Sequence, residues 1–211
     1  MKISLIVPTL NAGKYIEPLL QRLEDQTVPI DEIVVIDSES DDDTIAKAQK
    51  FADVKTMTVL RKDFNHGGTR DLAIQQTTGD VILCITQDAL PCDEHYVERL
   101  IAPFAEDEKI AMASGRQVPR PEANPIEKLT REFNYPETCF VRSKEDIPRL
   151  GVKTFFASDC CSAYRRSAYE KIGGFDKHIL INEDMKIAAQ FIYAGGNLHC
   201  PQTQQQFWYP F

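Results

Sequence analysis

The sequence lacks several patterns that would assign its class at once. No run of 18 or more apolar residues occurs among the 211, so no membrane-spanning helix is expected. The opening "MKISLIVPTL" is too short and too interrupted by proline for a signal peptide. Lysine and arginine are outnumbered by acids, 24 to 32, and a net charge of −8 disfavours a general nucleic-acid binder, which needs a basic surface. The remaining class is one globular domain, 43% apolar and 27% charged, with a sizeable core.

Paired cysteine motifs are also missing. No C-x-x-C occurs, and Cys84 lies inside an apolar run. Free thiols in a reducing compartment are therefore predicted in preference to disulfides or a zinc site. The six cysteines are Cys84, Cys92, Cys139, Cys160, Cys161 and Cys200.

The two common glycine-rich phosphate motifs are absent. After the first apolar run, Gly13 stands alone where a dinucleotide fingerprint would have three glycines, and no G-x-x-x-x-G-K-[ST] occurs anywhere. Both a hydride-transfer enzyme and a P-loop phosphotransferase are therefore disfavoured.

What the sequence does contain is an alternation of strand and helix patterns. "ISLIVP" and "EIVVID" are apolar without alternation, which is typical of parallel strands buried on both faces. Further strands are predicted at 55–60, 80–86 and 109–118. Helices are predicted after the first strand and at 42–52, 67–77 and 93–105. The helix at 67–77 is expected to follow a glycine turn, and the helix at 93–105 is expected to be capped by Asp93. The pattern predicts an α/β fold, with a Rossmann-like, mainly parallel central sheet flanked by helices.

The second half is less regular. Residues 119–151 are interpreted as an excursion on the rim of the sheet, with a helix near 126–133. A strand around 162–165, a helix, a Gly-Gly turn and a helix at 182–196 follow, and the tail from 197 to 211 is predicted to be a strand at most.

Ligands of open α/β sheets bind beyond the carboxyl ends of the strands. Four segments in those positions should line one edge: "PTLN", "DSESDDDT", "NHGGTR" and "TQDALP". Together they supply acids, small polar residues, glycines and one arginine. That set suits a nucleotide bearing phosphates and a cation.

At this point the chain resembles a known family. The resemblance lies in six segments over about residues 3–196, namely "ISLIVPTLNAGKYI", "EIVVIDSESDDDT", "NHGGTRDLAI", "GDVILCITQDALP", "CSAYRRSAYEKIGGFD" and "NEDM". The order and spacing of these segments are similar to those of family 2 glycosyltransferases. The resemblance implies a GT-A fold and an inverting, nucleotide-sugar-dependent enzyme. It implies one domain, with a nucleotide-binding part at about 1–117 and an acceptor-side part at about 118–211. "FNHGGTR" and "TQDALP" resemble the rhamnosyltransferase subgroup, whose donor is dTDP-L-rhamnose.

The resemblance implies a set of donor contacts. Asp37 would accept a hydrogen bond from the pyrimidine ring, and Arg70 would reach the base or the diphosphate with its planar donor fork. The plain alternatives are a turn acid and a surface arginine, while His66 is interpreted as turn structure. Ser38 stands where many relatives have a second aspartate. The implied donor-binding residues are Pro8, Thr9, Asn11, Asp37, Arg70, Thr86 and Gln87.

The D-x-D motif of the family supplies carboxylates for a divalent cation. Here the triplet is Thr86-Gln87-Asp88, so one acid is replaced by a hydroxyl. Asp88 is expected to bind Mg²⁺ or Mn²⁺, because such ions take several ligands from phosphate and water. A single carboxylate predicts weak metal binding without donor. The alternative is an ordinary loop acid.

The second acid of the family's "ED" step is the general base, which implies that role for Asp184. It would accept the acceptor hydroxyl's proton as the oxygen attacks the anomeric carbon, and the helix dipole would keep it ionised. The alternative is that both acids merely complement the dipole. Glu183 and Asp176 are expected on the acceptor side, with turn chemistry an equal account of Asp176.

The implied partners are a dTDP- or UDP-sugar donor and a saccharide or lipid-linked acceptor, in bacterial surface-polysaccharide synthesis and with no nucleic acid. The expected location is the cytoplasm, with peripheral association at the inner face of the membrane as an open alternative. The replaced acid at Thr86 keeps a second hypothesis open, a nucleotide-sugar or glycan binding module without turnover. A nucleotidyltransferase is disfavoured, because "PTLNAGKY" has one glycine and one lysine where a glycine-rich, basic loop is needed.

Overall fold

The structure, a computed structural model, describes residues 1–119 and 123–200 and the backbone of 207–208. Strands and helices alternate through the first half, as the sequence predicts. The strands of the described residues are β1 (Ile3–Thr9), β2 (Glu32–Asp37), β3 (Val54–Thr58), β4 (Val81–Ile85), β5 (Leu90–Pro91), β6 (Ile110–Ser114), β7 (Phe140–Arg142), β8 (Cys161–Arg165), β9 (Asn197–Cys200) and β10 (Phe207–Trp208). The α-helices are α1 (Ile16–Glu24), α2 (Thr44–Ala48), α3 (His66–Ile74), α4 (Tyr96–Glu106), α5 (Pro125–Asn134), α6 (Ile147–Leu150), α7 (Arg166–Lys171) and α8 (Glu183–Tyr193).

Eight of these strands form one mixed sheet in the order β3-β2-β1-β4-β8-β6-β9-β7. β1 pairs in parallel with β2 and β4, β2 with β3, and β6 with β9, so the predicted mainly parallel sheet is confirmed. β8 lies between β4 and β6 and is antiparallel to both. Two successive reversals leave β6 parallel to β4, so the carboxyl ends of β1, β2, β4 and β6 share one edge with the amino end of β8.

The unbroken apolar strands are explained by burial on both faces. Leu5 and Val7 of β1 pack into a core with α1 and α4, while Ile6 points into the opposite core, where α3 and α8 pack. Each of the three is fully buried. Successive side chains of a strand alternate between faces, so a sheet covered twice needs apolar residues at every position.

Two helix starts differ from the sequence prediction. α3 begins at His66, so Gly67 and Gly68 lie in its first turn and no glycine turn precedes it. A Cβ on Gly67 would lie 3.0 Å from that of Phe175, so the glycine allows close packing. Asp93 does not cap α4, which begins at Tyr96; its carboxylate accepts from the His95 amide and pairs with Arg99.

The predicted rim helix is confirmed as α5, and its apolar residues point outward. Ile126, Leu129 and Phe133 are 78%, 67% and 73% exposed. Of the predicted tail strand, β9 joins the main sheet and β10 pairs with β5 in a separate ribbon. The rest of that prediction, at 201–206 and 209–211, lies outside the described residues. None of the six cysteines, all of which lie in the described residues, forms a disulfide bond, as predicted.

Candidate active site

The shared edge of the sheet gathers the polar segments that follow the strands. The Thr86 amide donates to Cys160 O over 3.3 Å, which ties the end of β4 to the start of β8. The Gly115 amide donates to Cys161 O over 2.9 Å, which adds the end of β6. The Ser38 amide donates to Thr9 O, joining the ends of β1 and β2. These backbone bonds hold the loops side by side.

A cavity of about 330 Å³ opens among these loops. Five of the predicted donor-binding residues line it, namely Pro8, Thr9, Arg70, Thr86 and Gln87. The other lining residues are Leu10, Ser38, Arg61, Phe64 and His66. Sequence reasoning missed Leu10, Arg61 and Phe64, since partly exposed apolar and cationic side chains in loops carry no pattern of their own.

The other two predicted donor contacts, Asp37 and Asn11, lie beside the cavity and shape its loops. The buried Asp37 carboxylate accepts from the hydroxyls of Thr9 and Ser40, at 2.8 and 2.5 Å, and from the Ser40 amide. Asn11 adopts a left-handed conformation, with φ of 51°, and accepts from the Asp41 amide. The structure thus accounts for both residues as loop supports, and their contact with a donor stays a prediction.

Gln87 holds the first and fourth loops together. Its Oε1 accepts from the Leu10 amide at 2.7 Å, and its Nε2 donates to Leu10 O at 3.1 Å. This two-way bond fixes the half-exposed Leu10 side chain at the wall of the cavity.

Three buried polar atoms at the cavity are unsatisfied. Ser38 Oγ, Arg70 Nε and Thr86 Oγ1 have no hydrogen-bond partner among the described residues, and all three residues line the cavity. An unmade buried hydrogen bond costs about 1–3 kcal/mol. Arg70 Nε lies 3.7 Å from Asp159 Oδ2, so the cavity suits a ligand that brings polar atoms to the two hydroxyls.

Arg70 is buried, with 5% of its surface exposed, and it pairs with protein acids. Its Nη1 donates to Glu183 Oε1 over 2.9 Å and to His66 O over 3.0 Å, while its Nε lies 3.7 Å from Asp159 Oδ2. Burial alone would lower the pKa of Arg70, but the carboxylates of Asp159 and Glu183 outweigh it and raise that pKa, so the guanidinium is charged. Arg70 thus borders the cavity, but its hydrogen bonds and ion pairs are made to His66, Glu183 and Asp159 of the protein itself.

Glu183 was expected on the acceptor side, and the structure turns its carboxylate inward. It is the first residue of α8, is 9% exposed, and meets Arg70 across 113 positions of sequence. A carboxylate committed to a buried guanidinium is poorly placed to bind an acceptor. Its position favours a structural role behind the site.

Asp184, the next residue, has a raised pKa. Burial, followed by the negative charges of Asp159 and Glu183, raises the pKa of Asp184 to about 6, although a hydrogen bond from the Met185 amide opposes the shift. The expectation that the helix end would favour the ionised form is outweighed by burial. A carboxyl with a pKa near 6 is still mainly ionised at pH 7 and suits a general base.

Asp159 is a buried acid that sequence reasoning missed. It is 2% exposed and precedes β8, where its Oδ1 accepts from the hydroxyls of Ser162 and Tyr164. Its Oδ2 has no hydrogen-bond partner among the described residues. The available signal was an acid two residues before β8, but that strand is antiparallel to its neighbours, so its amino end reaches the site.

Asp88 lies in the turn after β4, where the Ala89 amide donates to Thr86 O. It is half-buried, and no hydrogen bond or ion pair of its carboxylate is found in the described part of the chain. In the same part of the chain, no group of three or more histidine, cysteine or acidic side chains could hold a metal ion. The role of Asp88 as a metal ligand stays a prediction.

Asp176 sits in the turn after Gly174 and accepts from the His178 amide at 3.0 Å. Gly174 has a φ of +76°, and a Cβ there would lie 2.7 Å from Asp71 Oδ1. Asp71, also missed from the sequence, accepts from the Tyr169 hydroxyl and pairs with Lys177. These contacts support the turn account of Asp176, and its acceptor contact stays a prediction.

The other half of the edge holds a narrow cleft beyond β6. Tyr135 follows α5, and its ring lies 5.7 Å from that of Phe156. Burial chiefly raises the pKa of Tyr135 to about 12, and the charge of Asp184 contributes to the shift. The phenol is therefore neutral and near the proposed base, within the predicted acceptor-side part of the chain.

None of the helices in the described ranges has the length and apolarity to cross a bilayer.

The family model described as "Glycosyl transferase family 2" matches residues 4–173. O-antigen chain rhamnosyltransferase RfbN of Salmonella typhimurium is 44% identical over 196 residues, which cover 92% of this chain and 62% of that protein. O-antigen chain rhamnosyltransferase WbaN of Salmonella anatum is 38% identical, covering 91% and 61%. The chain thus spans about three fifths of the length of these relatives.

Solved structures share the fold. Staphylococcus aureus TarS 1–349 in complex with UDP superposes with a TM-score of 0.76 at 20% identity, covering 99% of this chain and 60% of that one. The mannosyltransferase PcManGT from Pyrobaculum calidifontis, in complex with GDP-Man and Mn²⁺, gives 0.71 at 21% identity, covering 98% and 56%. At these identities the likeness concerns the fold alone, which is the GT-A fold expected from the sequence.

Proposed function

The chain belongs to glycosyl transferase family 2, and we propose that it transfers a sugar from a nucleotide donor to a saccharide or lipid-linked acceptor. The proposed donor is dTDP-L-rhamnose, with a UDP-sugar as the alternative, because both Salmonella relatives are rhamnosyltransferases by name. The proposed setting is surface-polysaccharide synthesis, in the cytoplasm or at the inner face of the membrane. Free cysteines are consistent with a reducing compartment.

The observation that carries this proposal is the composition of the cavity. Leu10 and Phe64 give it an apolar wall on which a flat pyrimidine can lie, and Arg61 and Arg70 are among its lining residues. The unsatisfied hydroxyls of Ser38 and Thr86 offer hydrogen bonds. An apolar wall beside cations and free hydroxyls suits a nucleoside diphosphate. We therefore assign donor binding to about residues 1–117 and the acceptor side to the part from 118 onward.

The residues at the end of β4 fit a divalent cation with few protein ligands. The half-buried Asp88 carboxylate has no partner among the described residues, and a hard cation prefers such oxygens. Mg²⁺ or Mn²⁺ held there would supply positive charge to the departing diphosphate. The single carboxylate implies that metal and donor bind together.

The proposed base is Asp184, and the proposed reaction inverts the anomeric centre. Asp184 takes the proton of the acceptor hydroxyl while that oxygen forms its bond to the anomeric carbon. The bond from that carbon to the diphosphate breaks on the opposite face, so the configuration is inverted. With a pKa of about 6, roughly nine tenths of the carboxylate is ionised at pH 7.

The proposal is tested by nucleotide release. The protein is incubated with dTDP-rhamnose or UDP-sugars and Mn²⁺, and Asp184→Asn is compared with Asp43→Asn, an exposed acid of the same edge. We expect release by the wild type and by Asp43→Asn, and a loss of about 10³-fold or more in Asp184→Asn.

Two results would redirect the proposal. Equal release by wild type and Asp184→Asn would remove Asp184 as the base. Donor binding by calorimetry, without release under any condition, would favour a binding module that has lost turnover, which the replacement of one metal-binding acid by Thr86 makes a specific alternative.

A further inference from the structure

Behind the proposed base lies a buried chain of charges. Asp159, Arg70 and Glu183 are 2%, 5% and 9% exposed. Arg70 stands between the two acids, at 2.9 Å from Glu183 and 3.7 Å from Asp159. They come from three distant parts of the sequence, so the chain of charges joins the start of β8, α3 and the start of α8.

The contact between Asp159 and Arg70 has no substitute in the described structure. Asp159 Oδ2 and Arg70 Nε face each other, and neither has a hydrogen-bond partner. Asp159 Oδ1 is held by Ser162 and Tyr164, so the carboxylate is fixed in orientation. Buried ionic groups of this kind are held by their partner, and the loss of one leaves the other uncompensated.

The start of α8 depends on this chain of charges. Asn182, which precedes Glu183, has a φ of 61° and makes no side-chain cap. A helix without a side-chain cap relies on other contacts to fix its first turn. The ion pair of Glu183 with Arg70 is such a contact, and Asp184 is the next residue.

We propose that Asp159 is a positioning residue for transfer: it holds Arg70, Arg70 holds Glu183, and Glu183 fixes the turn that presents Asp184. The inference deepens the proposed function and relies on it for the role of Asp184. It also makes the main role of Arg70 the positioning of Glu183 inside the protein, and not contact with the donor.

The same arrangement sets the charge around Asp184. The carboxylates of Asp159 and Glu183 pair with Arg70, and the charges of these three residues act on Asp184. The charge of Asp184 in turn acts on the phenol of Tyr135, at the end of α5. Removing the charge of Asp159 should favour the ionised form of Asp184. Removing the charge of Arg70 should disfavour it.

The test follows the titration of Asp184 by NMR of aspartate labelled with ¹³C at the carboxyl, with Asp184→Asn as the assignment. Asp159→Asn should lower the midpoint and Arg70→Gln should raise it, each by on the order of one pH unit. Asp159→Asn keeps the shape of the side chain. If Arg70→Gln does not fold, the midpoint measured in Asp159→Asn is sufficient to test the inference. Asp159→Glu should restore the midpoint towards that of the wild type.

Asp71→Asn is the matched control. Asp71 is also a buried acid, 6% exposed, that accepts from a tyrosine hydroxyl and pairs with a cation, but it lies outside the chain of charges. Its substitution should leave the midpoint of Asp184 unchanged.

Turnover gives the second readout. Asp159→Asn should lower kcat by about tenfold or more, move the acid limb of the kcat profile to lower pH, and leave the donor KM within about twofold. An unchanged midpoint in Asp159→Asn, or the same shift in Asp71→Asn, would overturn the inference. If Asp159→Asn shifts the midpoint of Asp184 but the wild type shows no turnover, the inference is supported and the proposed function is removed. If the wild type turns over but Asp159→Asn does not shift the midpoint, the proposed function is supported and the inference is removed.

Discussion

Asp184→Asn should make the protein more stable and inactive. The pKa of Asp184 is raised from its ordinary value of 3.8 to about 6, chiefly by burial. At about 1.4 kcal/mol per unit, a shift of this size corresponds to about 3 kcal/mol. Because Asp184 keeps some solvent contact, we expect about 1–2 kcal/mol after screening. The amide carries no charge, so the variant is relieved of this cost.

The gain should depend on pH in one direction. A carboxyl with a raised pKa in the folded state holds its proton more tightly there than in the unfolded chain. Ionisation of Asp184 therefore lowers the free energy of unfolding as the pH rises from about 4 to about 6, and this contribution is complete above that range. Asp184→Asn should match the wild type most closely near pH 4 and exceed it by a constant amount above pH 7.

Urea denaturation at a series of pH values measures this difference. Glu17→Gln is the control, since Glu17 is also an acid in the first turn of a helix, but its side chain is 45% exposed and paired with Lys50. Its removal should cost a little stability and show no gain at high pH. If Asp184→Asn were no more stable than the wild type at pH 8, or if its gain did not vary with pH, the assignment of a buried, destabilised base would be refuted.

Three further outcomes are expected. Phe64→Ala should weaken binding of dTDP about fivefold by calorimetry, because the ring forms the apolar wall of the cavity, and an unchanged affinity would exclude that wall as the base site. Asp88→Asn should raise the Mn²⁺ concentration needed for half-maximal nucleotide release by about tenfold, whereas a plain loop acid would leave it unchanged. Gly174→Ala should lower the free energy of unfolding by about 2 kcal/mol or more in urea titrations, since φ is +76° and the new Cβ would meet Asp71; wild-type stability would contradict the strain.

The fold was predictable where burial alone decides the pattern. β1, β2 and β4 are covered on both faces, so their unbroken apolar runs indicate parallel strands. The place of β8 between β4 and β6 was not predictable, because pairing between distant strands leaves no local pattern. Gly67 was misread as part of a turn for a similar reason: its requirement comes from Phe175, more than a hundred residues away.

The same distinction applies to the candidate site: residues placed by strand direction were predicted, and residues placed by distant partners were not. Pro8 and Thr9 end β1, and Thr86 and Gln87 follow β4. The direction of both strands was predicted, and all four residues line one cavity. Asp159 was missed because only carboxyl ends of strands were considered, whereas β8 brings its amino end to the same edge.

The inward turn of Glu183 was equally hidden. It depends on Arg70, a partner 113 residues away, and adjacent acids in a sequence do not reveal which one faces solvent. Asp184 next to it has the perturbed pKa, so the structure separates two residues that the sequence presents as a pair.

The most direct test of the account is a crystal structure of the protein with dTDP and Mn²⁺. We predict that the pyrimidine lies in the cavity against Leu10 and Phe64, that the diphosphate points to the end of β4, and that the cation is bound by Asp88. A nucleotide outside this cavity, or a cation held away from Asp88, would contradict the central claim.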